Sequence, residues 1–142
     1  MTYRPLGALV VAAVSAGCLL AMLVVVVVAL PPDVRAAFTL FQDVTMAVFL
    51  AAALAALYAI ARTRVSTDDA GIHVLNGFRH HDLAWAEAVQ VNLGRGAPWA
   101  VLDTADGTTV QVMAIQRADG ERAAAALQAL RAQLAHHSPP DP

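Results

Sequence analysis

The chain contains no lysine, so each of its nine fixed positive charges is an arginine. From Arg62 onward seven arginines face nine aspartates and glutamates, which leaves the C-terminal half mildly acidic. Nucleic acid and strongly anionic surfaces select basic patches, so neither is an expected partner. Cysteine is nearly absent as well: Cys18 is the single one and lies inside an apolar run, which excludes a disulfide framework or a thiolate metal site. Charge of either sign is scarce, at 14% against about 25% in ordinary soluble chains.

Catalytic signatures are missing too. There is no glycine-rich phosphate loop, no metal-protease helix motif and no paired catalytic carboxylates. Ser15, Ser66 and Ser138 have no positioned base beside them in the sequence. The expectation is a protein that is not an enzyme and uses no cofactor.

What the chain does have is apolar sequence, 58% of it, unevenly spread. Residues 6–30 read LGALVVAAVSAGCLLAMLVVVVVAL without a charge, and a bilayer span needs about 20 such residues. The PPD at 31–33 ends that run, since proline breaks the hydrogen-bond ladder and aspartate resists burial in lipid. A second run, VTMAVFLAAALAALYAIA at 44–61, closes on Arg62 and Arg64. Together they predict a membrane hairpin over residues 1–62. Cleavage after VSA or at SAGC is not expected, because apolar residues continue for a dozen positions beyond either box.

Arg4, Arg62 and Arg64 at the hairpin ends outweigh Arg35 in its loop, so the positive-inside rule places both termini in the cytoplasm. The expected location is the plasma (inner) membrane, with two integral spans. Tyr3, Phe38, Phe41 and Tyr58 stand where an interfacial aromatic belt belongs. Ala47, Ala51 and Ala55, with Ala13 and Gly17, recur every fourth residue. Such small-residue faces suit the seam of the hairpin and also offer a surface for a homo-oligomer.

After Arg64 the hydrophobic period changes to alternation. GIHVLNGFRHHDLAW sets Asn76-Gly77 between two strand-like runs, a strong hairpin signal. Further strands follow at Val89–Leu93, Trp99–Leu102 and Thr109–Ile115, divided by Gly94–Pro98 and Asp106-Gly107, with an optional first strand at Arg64–Thr67. The meander of five to six strands ends in one helix. Asp119 is its expected N-cap, and Ala123, Leu127, Leu130 and Leu134 form its apolar stripe. Residues 136–142, HHSPPDP, read as a disordered tail.

RTRVSTDDAGIHVLNGFRHHDLAWAEAVQVNL, the strand pair around DG and the closing alanine-rich helix together resemble the bacterial pleckstrin-homology (PH-like) domains. More narrowly they resemble the actinobacterial low-molecular-weight antigen family, whose members carry a membrane hairpin ahead of such a domain. The resemblance covers 62 to about 135, and its most telling elements are GIHVLNG, the WAE after the second strand, and DGTTV…AIQ…DG. It implies two transmembrane α-helices followed by a small α+β domain over 63–135, a curved antiparallel sheet or partial barrel capped by one C-terminal helix. It implies no enzyme activity. Phosphoinositide-binding members grip phosphates with lysines and arginines of a long first hairpin loop. Here the turn is two residues with only Arg79 nearby, so that specificity is not expected.

The histidines need separate weighing. His80 and His81 are neighbours on a strand and point to opposite faces, so they cannot share one ligand. A turn centred on Asn76-Gly77 sets Leu75 opposite Phe78, Val74 opposite Arg79, His73 opposite His80 and Ile72 opposite His81. Ile72, Val74, Leu83 and Trp85 then share the core face. His73, His80 and Asp82 share the other and are candidate ligands for a divalent ion such as zinc. No further ligand can be placed near them, so a solvated surface cluster is the preferred reading, with no metal expected. His136 and His137 read as polar filler, and Trp85 and Trp99 as core or groove aromatics. The function expected is a non-enzymatic, membrane-anchored interaction module that meets a protein or peptide on a strand edge or in the groove beside the helix. The alternative is a subunit that binds or senses membrane lipid through the PH-like domain.

Overall fold

The computed structural model describes residues 1–137. A two-residue strand β1 (Thr2–Tyr3) precedes helix α1 (Leu6–Ala29), a short helix α2 (Pro32–Ala36) and helix α3 (Leu40–Ala61). Strands β2 (Arg64–Thr67), β3 (Gly71–Asn76), β4 (Arg79–Ala84), β5 (Ala88–Asn92), β6 (Trp99–Thr104) and β7 (Thr109–Gln116) follow, and helix α4 (Glu121–His137) ends the described chain.

At 24 residues α1 is about 36 Å long, enough for the hydrocarbon core of a bilayer. The 22 residues of α3 are also sufficient. Length and composition allow both to cross a membrane, and almost none of their residues are buried within the protein. α3 starts four residues before the expected Val44, because Thr39 and Gln42 form a capping box: Gln42 N–H donates to Thr39 Oγ1 and Thr39 N–H to Gln42 Oε1. The helices lie side by side. Gly17, expected at a close seam, has open space where a Cβ would stand.

Two antiparallel sheets follow, ordered β1-β2-β3-β4 and β5-β6-β7. Their facing sides enclose Ile72, Val74, Val91, Leu102, Val112 and Ile115, all essentially inaccessible. The α4 stripe of Ala123, Leu127, Leu130 and Leu134, joined by Ala126, packs into the same core. A register irregularity at Trp99/Ala100 breaks the alternation of β7, which is how neighbouring Ala114 and Ile115 are both fully buried.

The first strand was invisible in the sequence. Residues ahead of α1 pair with the strand that begins after α3, Thr2 with Ser66 and Tyr3 with Val65. The helical hairpin is therefore the connection between two adjacent strands, and both of its ends are fastened to the domain. Met1 adds a bond from its ammonium to the Thr67 carbonyl at 2.8 Å. Tyr3 is not a free belt residue: its hydroxyl donates to Asp119 Oδ2 at 3.1 Å. Burial first, and the Asp119 carboxylate next, push its pKa up to about 12. Removing the first helix by cleavage would take β1 with it.

Two local expectations need correction. Asp119 does not cap α4; it lies in a 3-10 turn ahead of Gly120, and its carboxylate accepts from Tyr3 and from the Gly7 N–H. The expected disordered tail starts too early, since His136 and His137 belong to α4. His137 is held there by a bond from Nδ1 to the Gln133 carbonyl and by stacking on Trp85, 4.1 Å between centroids and 6° between planes. The rest of that expected tail, 138–142, lies outside the described residues.

Candidate functional site

The β3–β4 hairpin holds all of the sequence-derived candidates, and its register differs from the expected one by two residues. Asn76 pairs with Arg79, so the turn is Gly77-Phe78 rather than Asn76-Gly77. Gly77, at φ 61°, takes the first central position, as glycine does in II′-type hairpins. Asn76 stays in the strand because its amide bridges the sheets: Nδ2 donates to the Gln111 carbonyl at 2.6 Å, and Met113 N–H donates to Oδ1 at 3.2 Å. A shift of two preserves the faces, so Ile72 and Val74 still point into the core.

The expected His73–His80 pair does not form. His80 stands opposite Leu75, and His73 stands opposite Asp82. His73 Nδ1 lies 2.6 Å from Asp82 Oδ1, and Nε2 lies 3.0 Å from Asp68 Oδ2. Two carboxylates, one on each ring nitrogen, suit a doubly protonated imidazolium that donates to both. Among the described residues no group of three or more His, Cys, Asp or Glu is arranged to hold a metal ion. Asp68 was not a sequence candidate, although an aspartate three residues before a glycine is a turn signal. Its Oδ1 accepts from Ala70 N–H and Gly71 N–H, and its carbonyl accepts from Trp85 Nε1 at 3.0 Å.

The Asp82 hydrogen bond, with Asp68 adding to it, raises the His73 pKa above its ordinary value. Bonds from Ala70 and Gly71 lower that of Asp68. The His73 contribution to stability is thus complete below about pH 6.5 and fades as pH rises through the raised value. That of Asp68 is present above its ordinary range and fades as pH falls through the lowered one. Titration of the His73 imidazole by NMR is expected to give a midpoint above about 6.5 that falls in Asp82→Asn. An unchanged midpoint in that variant would contradict the clamp.

The sheet edges differ in how they are closed. The β7 edge is occupied by Asn76. The β5 edge is met by Arg131 of α4, whose Nε donates to the Val91 carbonyl at 3.0 Å. β1 is only two residues long. β4 is different: among the described residues no group outside β3 bonds the main chain of Arg79–Leu83, and Ala84 N–H is taken by Glu87. Beside β4 runs a cavity of about 560 Å³, lined by Phe78, Arg79 and His81 on one side and Thr109, Gln111 and Met113 on the other. An open strand edge over a groove of mixed polarity can accept an extended peptide, main chain to main chain.

Two sheets of four and three antiparallel strands with a helix packed on their common core define a small β-sandwich domain. Residues 62–133 match the bacterial PH domain family, half of the chain, and the protein belongs to that family. Over 84 residues it is 37% identical to uncharacterised proteins of Mycobacterium tuberculosis and Mycobacterium bovis, covering 59% of this chain and 54% of theirs. The chain thus spans about half the length of the curated relatives it matches. No solved structure matches it.

Proposed function

We propose that the protein is a non-enzymatic, membrane-anchored interaction module. Its helical hairpin crosses the plasma membrane twice, both termini lie in the cytoplasm, and the PH-like domain offers the β4 edge to an extended segment of a protein partner. The observation that carries the binding surface is the contrast between edges: β7 and β5 are closed by side chains of this chain, whereas Arg79–Leu83 is left open over a groove. An uncapped edge of this length is ordinarily blunted in a protein that does not use it. Anchoring is supported by two long, exposed apolar helices and by arginines at their shared end.

A photo-crosslinking amino acid at Arg79, exposed on β4 and lining the groove, is expected to trap a partner in growing cells. The same group at Arg95, in the loop between β5 and β6, is expected to trap none. Equal capture at both positions, or capture at Arg95 alone, would remove β4 as the surface.

A further inference from the structure

The arginines at the base of the hairpin come from two stretches of sequence far apart, and each stretch alone reads as a flank of a membrane span. The fold brings them together. Arg4, between β1 and α1, Arg62, which follows α3, and Arg64, the first residue of β2, line one cavity of about 310 Å³ with Tyr58 and Ala61. No carboxylate lines it. Among the described residues the ion pairs all belong to His73, so none of these three guanidinium groups is joined to an acid.

Three like charges drawn into one concavity repel unless an anion joins them. The β1–β2 pairing brings the three together at the shared end of the hairpin, and no acid of this chain balances them there. Arg62 is also held in place: its guanidinium lies over the Tyr58 ring at 5.5 Å and the Phe78 ring at 5.6 Å. These cation–π contacts hold the group beside the rings without using its N–H donors. Guanidinium edges match the paired oxygens of a phosphate, which accept two parallel N–H bonds. Phe78, at the hairpin tip, is 60% exposed and stands beside these groups. An apolar ring next to a phosphate site fits the boundary between headgroups and acyl chains.

We propose that Arg4, Arg62 and Arg64 form a site for one phosphate group, outside the β4 groove, and that the headgroup of an anionic lipid supplies it. The net charge of −2 does not oppose this, because the site is local and free of carboxylates. The lipid source depends on the hairpin lying in a membrane; the phosphate chemistry does not.

The test uses the full chain, reconstituted in nanodiscs of phosphatidylcholine with phosphatidylglycerol and examined by native mass spectrometry. One phosphatidylglycerol is expected to be retained in preference to phosphatidylcholine. In R62Q/R64Q that preference should fall about tenfold, the scale of losing charged hydrogen bonds. R95Q, on a remote loop, should not change it. Thermal unfolding checks that the double variant is folded; if it melts early, R64Q alone, whose side chain is exposed, replaces it. Calorimetric titration of the detergent-purified protein with inorganic phosphate separates the sources. Saturable binding lost in the variant, without retained lipid, assigns the same site to soluble phosphate. Neither lipid preference nor phosphate binding, or an equal loss in R95Q, overturns the proposal.

Discussion

Replacing Gly71 with alanine is expected to lower the thermal unfolding midpoint by about 15 °C, equivalent to a loss of about 3 kcal/mol in a domain of this size. Gly71 opens β3 and pairs with Ala84 at the far end of the hairpin. A Cβ there would run into the main chain of β4, at the carbonyl of Leu83 and the Cα of Ala84. Backbone cannot step aside as a flexible side chain can, so relief requires opening the β3–β4 ladder. The damage would extend to Asp68, which accepts from Gly71 N–H, and hence to the clamp on His73. Unfolding of the full chain in mild detergent, followed by tryptophan fluorescence, measures it. A midpoint within a degree or two of wild type would mean that β4 does not approach β3 as closely as described.

Leu130→Ala is expected to cost between about 2 and 5 kcal/mol, the range for deleting a buried leucine side chain. Leu130 is 1% exposed in the middle of α4, within the core shared by both sheets. Its neighbour Gln128 is exposed, and Gln128→Ala should stay within about 0.5 kcal/mol of wild type. Denaturant unfolding of the two variants side by side tests whether α4 closes the core. Equal midpoints would leave the helix undocked.

These two residues also mark where local sequence is informative. The α4 stripe was legible because a helix that buries one face must repeat its apolar residues at helical spacing. The core face of β3 was legible for a similar reason: alternation survives a register error of two. The turn itself was misread because Asn-Gly favours the centre of a hairpin, whereas Asn76 is satisfied by Gln111 and Met113 of β7. No local pattern announces a partner 35 residues away.

Asp119 failed as a cap for the same reason, its partners Gly7 and Tyr3 being 112 and 116 residues distant. Strand β1 is too short to carry a period, and only its pairing with β2 reveals it. Among candidate site residues, the open β4 edge was foreseen only as some strand edge. Choosing among the edges requires knowing that Arg131 and Asn76 close the others. The arginines were legible only as charges at the hairpin ends; their convergence on one cavity was not, because 58 residues separate Arg4 from Arg62.

The central claim is that the hairpin crosses the membrane and leaves the domain in the cytoplasm. It is tested most directly by labelling single cysteines with a membrane-impermeant maleimide. Cys18 is the natural cysteine, so Cys18→Ser supplies a cysteine-free background. In that background Asp33→Cys, in the connection between the two long helices, is expected to react in intact cells. Arg95→Cys, in the domain, should react only after lysis. Reaction of Arg95→Cys in intact cells, or of neither position before lysis, would contradict the topology.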